Sequence, residues 1–232
     1  MQKEERSIVI IGKGTSVSRS TKVYVDSFDE VAICNQPPYE GFEHLISDHA
    51  DYHFCNATGD LDTCSLDLGI KVVFNTGGVW TADRSPSDDV VPPSATYIPD
   101  CSKNLLPYFN QKYHFGLGKY DVPCAGTYAF ETVLRSGRYS RIGTIGLDLM
   151  EVGKQVYYFP KEQTNKSLHY LWQNGTYTHD GIRIKESLHD HSKTLNYYTS
   201  VFEEYSDIEF VMMTDSSALK EVAQNFQNVK LL

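Results

Sequence analysis

Six short apolar runs each stop at small or polar residues, and this repeated pattern constrains the fold more than any other feature of the chain. Short, nearly continuous apolar runs are typical of strands buried on both faces of a parallel sheet. Because the carboxyl ends of parallel strands share one edge of the sheet, the residues that follow the runs predict a ligand crevice at that edge. The runs cover residues 7–11, 30–34, 52–55, 70–74, 141–145 and 208–213.

Helical patterns alternate with these runs, and the alternation predicts an α/β fold with a mostly parallel, Rossmann-like central sheet. The 232 residues, 41% of them hydrophobic, are enough for a single domain over residues 1–232. The predicted helices cover residues 126–136, 193–205 and 217–226, with Ser192 as the N-cap of the second and Asp215 or Ser216 as the N-cap of the third.

Two stretches depart from this alternation. Residues 81–107 are rich in Pro, Ser and Asp, which predicts a long surface connection. Residues 151–187 are rich in Tyr, Asn, Gly and Thr and have no firm periodicity. Long loops in compact domains are more often functional than idle, so we expect a Tyr-rich, lid-like insertion there.

Charge and cysteine usage exclude several classes of protein. A net charge of −9 without a basic run argues against a nucleic-acid-binding protein. Residues 1–7 are too polar for a signal peptide, and no apolar run is long enough to cross a bilayer. The five cysteines are widely spaced, as expected of free thiols. We therefore expect a cytoplasmic protein, with peripheral membrane contact and homo-oligomerisation left open.

His191 is the first candidate for a catalytic group. It lies next to the predicted N-terminus of the 193–205 helix, where the helix dipole disfavours imidazolium and keeps the ring neutral. A neutral, partly exposed imidazole can accept a proton from a hydroxyl group. The alternative is a histidine that merely precedes a capped helix.

The segment Gly12-Lys13-Gly14-Thr15-Ser16 follows the first apolar run and suits a close approach of backbone to a phosphate. It lacks the third glycine of the dinucleotide fingerprint and the final G-K-[ST] of a P-loop, so neither NAD nor ATP is supported. An ordinary strand-to-helix turn is the alternative.

Asn35 and Asn56 each follow a cysteine at the end of an apolar run. A side-chain amide can donate to phosphate oxygens and accept from sugar hydroxyls, although asparagine is also common in loop turns. His44, His49 and His53 lie near Asp48, and Asp60 and Asp62 are the one closely spaced carboxylate pair considered for Mn²⁺. Neither set has a convincing ligand pattern, and we expect no metal and no resident cofactor.

Taken together, the motifs resemble the bacterial sialyltransferases of glycosyltransferase family 42, the lipooligosaccharide type. The resemblance spans most of the chain and depends on the shared order and spacing of short motifs. These are I-I-G-K-G-T-S at residues 10–16, Cys34-Asn35-Gln36, Phe54-Cys55-Asn56, Ala125-Gly126 before a helix, I-G-L-D at residues 145–148, Gly153 with Tyr157-Tyr158, and His191-Ser192-Lys193.

The resemblance implies a GT-A-like variant fold and an inverting, metal-independent transfer of sialic acid from CMP-sialic acid to a sugar hydroxyl of a glycan acceptor. It implies that His191 is the general base and that Tyr157 or Tyr158 donates to the departing phosphate. The donor-binding residues that it implies are Gly12, Lys13, Gly14, Ser16, Asn35, Gln36, Asn56, Ala125, Gly126, Thr127, Gly146 and Asp148.

Four positions depart from the family pattern: Lys13, Val122, Ala125 and Met150. The family's serine and arginine are missing at Ala125 and Val122, which leaves open another CMP-activated acid sugar, such as Kdo, as the donor. A non-catalytic nucleotide- or carbohydrate-binding protein on the same fold is a further alternative, because fold does not determine function. A nucleotide-sugar hydrolase, with water in place of the acceptor, is the last.

Overall fold

The computed structural model describes residues 5–35, 41–55, 68–77, 91–117, 122–149, 177–179, 182–184 and 191–232. Within them, eight strands form one sheet: β1 (Arg6–Ile11), β2 (Glu30–Cys34), β3 (Tyr52–Cys55), β4 (Val72–Asn75), β5 (Thr96–Ile98), β6 (Tyr139–Ile145), β9 (Glu209–Met213) and β10 (Val229–Leu231). They pair in parallel in the order β10-β9-β6-β1-β2-β3-β4-β5. A separate antiparallel hairpin joins β7 (Tyr177–His179) to β8 (Ile182–Ile184).

Helices cover the two faces of the sheet. One face packs on a 3-10 helix (Thr15–Arg19) and α1 (Lys22–Val25), which follow β1. Four longer helices pack on the opposite face, and the core between them and the sheet contains most of the buried aromatic rings. Those elements are α2 (Cys101–Tyr113), α3 (Ala125–Ser136), α4 (His191–Glu204) and α5 (Ser217–Ala223).

The order of the strands reverses between β1 and β6. From β1 the chain moves outward through β2, β3, β4 and β5, and it then crosses back to place β6 on the other side of β1. The elements that make the outward and returning crossovers lie on opposite faces, as right-handed connections require. In open α/β sheets, such a reversal opens a crevice at the carboxyl ends of the two strands.

The predicted α/β fold and mostly parallel sheet are confirmed, and all six predicted strands are present with ends shifted by no more than two residues. Buried parallel strands are nearly continuous apolar runs, which explains this success. Most of the predicted lid at residues 151–187 lies outside the described residues, which include only the β7–β8 hairpin from it. No described helix has both the length and the apolar character needed to cross a bilayer.

The predicted surface connection at residues 81–107 is wrong for most of its second half, and residues 81–90 lie outside the described residues. Residues 96–98 form β5, and α2 begins at Cys101. Pro107 lies inside α2, where it removes one helical hydrogen bond and normally ends a helix. Burial of Leu105, Leu106, Phe109 and Tyr113 on one side of α2 outweighs this local cost.

Two helix boundaries also differ from prediction. The helix predicted at 193–205 begins at His191, so Ser192 is its second residue rather than its N-cap. The last helix ends at Ala223 instead of Phe226, although Ser216 is its N-cap and accepts a hydrogen bond from the Leu219 N–H at 3.3 Å. Ends of helices are the least certain part of any pattern, because capping residues can also occupy the first turn.

Candidate functional site

At the reversal of strand order, the loops after β1 and β6 lie in backbone contact. The N–H of Gly12 donates to the Ile145 carbonyl at 2.7 Å, and the N–H of Gly14 donates to the Gly146 carbonyl at 2.8 Å. A side chain at Gly12 would overlap the Gly146 carbonyl oxygen, and Gly146 itself has a φ of +68°. Glycine at both positions therefore allows the approach that closes the floor of the crevice.

Asp148 ties three strand ends together. One carboxylate oxygen accepts from the backbone N–H of Ser16 at 2.8 Å. The other accepts from the Thr214 hydroxyl at 2.8 Å and from the Asp215 N–H at 2.7 Å. The family resemblance implies that this carboxylate lines the nucleotide pocket, and in the structure it bonds protein groups through both oxygens and joins the loops after β1, β6 and β9.

Ser16 is a second hub of the same floor. Its side chain is fully buried, donates to the Met213 carbonyl at 2.9 Å and accepts from the Gly146 N–H at 2.9 Å. The family resemblance implies that Ser16 binds the donor, whereas the contacts of its hydroxyl are to the backbone. No sequence signal could have revealed these bonds, because they join residues 130 to 197 positions apart.

Arg19 supports this floor from the 3-10 helix, and the sequence analysis missed it. Its guanidinium lies 3.0 Å from the Asp215 carboxylate and donates to the Thr214 carbonyl at 2.9 Å. Thr15 donates to the other oxygen of Asp215 at 2.9 Å. The glycine turn is therefore anchored to β9 by an ion pair as well as by hydrogen bonds.

Asn35 occupies the carboxyl end of β2, the neighbour of β1. Its φ of +57° places it in the left-handed region, which asparagine tolerates better than most residues. Its N–H donates to the Phe54 carbonyl at 2.7 Å, and its carbonyl accepts from Nε2 of His53. Asn35 is half-buried, at the same edge of the sheet as the glycine turn.

Lys13 lies near Cys34, the last residue of β2. Burial is the main reason why the pKa of the Cys34 thiol is raised, and the Lys13 ammonium opposes that shift from nearby. Because Cys34 immediately precedes Asn35, the glycine turn presents a cation beside the end of β2. A cation at this edge of the sheet favours an anionic ligand there.

The N-terminus of α3 faces the same edge, because its C-terminus leads directly into the start of β6. A side chain on Gly126 would come within 2.6 Å of a Leu147 methyl group, so the first turn of α3 abuts the loop after β6. Thr127 is fully buried next to this turn, and its hydroxyl lies 3.2 Å from Cys124 Sγ. The helix dipole and first-turn amides of Ala125 and Gly126 favour an anion here.

His191 is the first residue of α4 and is half-buried. The C-terminus of α4 turns into the start of β9, and the helix runs back over roughly 20 Å, which brings its N-terminus toward the carboxyl edge. Tyr198, two turns after His191, packs on Phe130 of α3 with ring centroids 5.2 Å apart. Burial, and then the Cys124 and Cys34 thiols nearby, raise the pKa of Tyr198.

These contacts bring together most of the described residues that sequence analysis assigned to the site. One edge of the sheet carries all of them: the glycine turn, Asn35, the start of α3, Gly146, Asp148 and the start of α4. Four assigned residues lie outside the described residues: Gln36, Asn56, Tyr157 and Tyr158.

The histidines considered as metal ligands are separated by their environments. His53 is buried in β3, whereas His44 and His49 are exposed and only His49 is shown close to Asp48 among the described contacts. Within the described ranges, no three His, Cys, Asp or Glu side chains are grouped so that they could hold a metal ion.

The fold defined by this sheet and edge is that of the sialyltransferases. CstII from Campylobacter jejuni with CMP-3FNeuAc matches over 97% of this chain and 86% of its own, with 14% identity and a TM-score of 0.60. Cst-I from Campylobacter jejuni, a monofunctional alpha-2,3-sialyltransferase, matches over 98% and 81%, with 16% identity and a TM-score of 0.60.

A mammalian sialyltransferase matches over 89% of this chain and 68% of its own, with 16% identity and a TM-score of 0.51. No protein-family model matches the sequence, and no curated protein matches it. The resemblance indicated by the motifs is thus confirmed at the level of the fold.

Proposed function

We propose that this chain is a glycosyltransferase that moves sialic acid from CMP-sialic acid to a sugar hydroxyl of a glycan. The observation that carries the proposal is the crevice between β1 and β6, floored by the Gly12 and Gly146 contact. CstII, which shares this fold, has been determined with cytidine-5'-monophosphate bound. The acceptor belongs to a lipooligosaccharide-type glycan, and the protein acts in the cytoplasm.

The donor phosphate lies at the first turn of α3, between Lys13 and Asn35. The amides of Ala125 and Gly126, the positive end of the helix and the Lys13 ammonium stabilise its negative charge. Asn35, together with Gln36 and Asn56, bonds the phosphate and the sugar through side-chain amides. Gly12, Gly14 and Gly146 let the nucleotide approach the backbone.

His191 is the general base. As the acceptor oxygen bonds to the anomeric carbon, an imidazole nitrogen takes the hydroxyl proton. The bond from the anomeric carbon to the phosphate oxygen breaks, and its electron pair leaves with CMP. Attack opposite the leaving phosphate inverts the configuration. Tyr157 or Tyr158 donates a hydrogen bond to the departing phosphate, so no metal is required.

The function is tested first by thermal unfolding in the presence of CMP, CDP, UDP, GDP or NAD, each added separately. A ligand that binds only the folded state raises the Tm by mass action. We expect CMP alone to raise it, and transfer of sialic acid from CMP-sialic acid to a glycan in a product assay. A shift with UDP or GDP instead, or with none of the five, would contradict the proposal.

A second donor is favoured by the residues at the start of α3. Val122 and Ala125 stand where the family pattern has arginine and serine, and Lys13 stands where it has asparagine. The missing arginine and serine alter the groups available to the donor's carboxylate, so a Kdo-like CMP-activated sugar is the second candidate. Direct competition between CMP-sialic acid and CMP-Kdo in the transfer assay decides between the two.

A further inference from the structure

The backbone of Asn35 is held in a conformation that needs a cause. Within the described part of the chain, one other non-glycine residue has a positive φ, His114, and it ends α2, where left-handed geometry is common. Asn35 instead follows a strand, so no helix cap accounts for its φ of +57°. Such a conformation persists when the surrounding structure enforces it, and it concentrates at functional sites.

Both backbone groups of Asn35 are bonded to the neighbouring strand β3. The Asn35 N–H donates to the Phe54 carbonyl, and the Asn35 carbonyl accepts from His53 Nε2. The first bond is an extension of the sheet, since Cys34 pairs with Phe54 in register. The second comes from a side chain and depends on histidine at position 53.

A histidine at this position is unexpected on packing grounds. His53 is only 4% exposed, and its partners in the sheet are Ile33 on β2 and Val73 on β4. An apolar side chain would fit this row without the cost of removing an imidazole from water. The hydrogen bond from the imidazole to the Asn35 carbonyl offsets this cost.

The hydrogen-bond partners of the His53 ring determine which of its nitrogens carries the proton. Burial lowers the pKa of His53 to about 4, so the ring is neutral at physiological pH and carries one N–H. A carbonyl can only accept, so the proton is on Nε2. Nδ1 then accepts from the Cys55 thiol, whose Sγ lies 3.7 Å away. Burial raises the pKa of Cys55 to about 12, which keeps that thiol protonated.

We propose that His53 is a positioning residue for the donor site: its Nε2–H, bonded to the Asn35 carbonyl, holds Asn35 in the left-handed conformation that presents its amide to the donor. The role of Asn35 rests on the proposed function. His53 itself lies in β3, two strands away from β1, and acts through the backbone of Asn35.

The tautomer gives a test that is independent of activity. Two-bond proton–nitrogen NMR of the histidine-labelled full-length protein should show one ring with its proton on Nε2 and no titration between pH 5 and 8. The His53→Gln variant assigns that signal by its loss. A proton on Nδ1, or a His53 pKa near the ordinary value of about 6.5, would overturn the proposal.

Binding of CMP tests the positioning role. We expect His53→Leu to raise the Kd for CMP and the KM for the donor by about 10- to 100-fold, with a smaller change in kcat. His53→Gln, whose amide nitrogen can take the place of Nε2, should recover most of the affinity. Val73→Ala is the matched control, because it disturbs the same buried row without contacting Asn35. Equal weakening by Val73→Ala and His53→Leu would overturn the role.

A double-mutant cycle separates positioning from general damage to the sheet. Asn35→Gly keeps the left-handed backbone without a side chain, so adding His53→Leu to it should change the Kd for CMP less than about twofold. A full additional loss would overturn the proposal. Wild-type protein that binds no CMP would overturn the proposed function, and the positioning role with it. Wild-type binding that His53→Leu leaves intact would overturn the positioning role alone.

Discussion

At the scale of single residues, His191 is the group whose chemistry is easiest to separate from binding. We expect His191→Ala to abolish transfer while leaving the Kd for CMP within a few-fold of wild type, because a general base acts on the acceptor rather than on the nucleotide. His49→Ala, which removes an exposed histidine from another loop, is the control. Product formation by the His191 variant at close to the wild-type rate would rule out this role.

His53 makes folding stability depend on pH. Its pKa is about 4 in the folded protein and about 6.5 when unfolded, so the unfolded chain binds the extra proton between these values. The free energy of unfolding therefore falls as pH drops from about 6.5 to 4, by roughly 3 kcal/mol. Urea denaturation of the wild type and His53→Gln at several pH values should show this additional fall in the wild type alone, because both proteins share the carboxylates whose pKa values are lowered, such as Asp26 and Asp29. Parallel slopes would contradict it.

At the scale of elements, one added methyl group is enough to break the contact between the loops after β1 and β6. We expect Gly12→Ala to destabilise the protein by roughly 1–3 kcal/mol and to abolish CMP binding, because the methyl group would push the loops after β1 and β6 apart. Gly137→Ala, which has open space around it at the end of α3, should cost about 1 kcal/mol from its positive φ alone.

Calorimetric titration with CMP distinguishes these two glycine variants. The Gly137 variant should bind CMP like the wild type, and the Gly12 variant should not. If Gly12→Ala binds normally, the loop contact does not form the floor of the nucleotide site.

An element could be predicted from the sequence where interactions between residues close together in the chain determine it, and not where distant residues do. The strands could be predicted because burial on both faces marks each one locally, as in Ile8–Ile11. The helix containing Pro107 could not, because tertiary packing overrides a local breaker there. The site could be predicted only as a set of residues and not as a set of contacts. The bonds of Asp148 to Ser16 and Thr214 span 132 and 66 positions, which no local pattern reveals.

His53 shows the same limit, because its spacing in the sequence suggested a role that differs from its contacts in the structure. From the sequence it was considered with its neighbours as a metal ligand, because His49 and His53 are four residues apart. The structure places it in a strand with its ring against the Asn35 carbonyl. Spacing along the chain could not predict this, since the bond depends on the register between β2 and β3.

At the scale of the whole molecule, the proposed chemistry uses only the chain's own groups. We expect the rate of transfer to be unchanged after treatment with EDTA and dialysis, because helix amides, Lys13 and tyrosine hydroxyls stabilise the leaving phosphate. The assay is repeated with Mn²⁺ or Mg²⁺ added back to the treated protein. Complete loss of activity that Mn²⁺ restores would reject the metal-independent mechanism.

The pairing of β1 with β6 also sets the order in which this molecule can become functional during synthesis. The first strand of the sheet finds its second neighbour only after more than 130 further residues have left the ribosome. Asp148 then needs Thr214 and Asp215, which follow it by 66 and 67 positions. A nascent chain can assemble β1 to β5 early, yet the crevice lacks its second wall until β6 has emerged, and Asp148 lacks these two partners until β9 and the loop after it have emerged. Nucleotide binding would therefore report completion of the fold rather than its beginning.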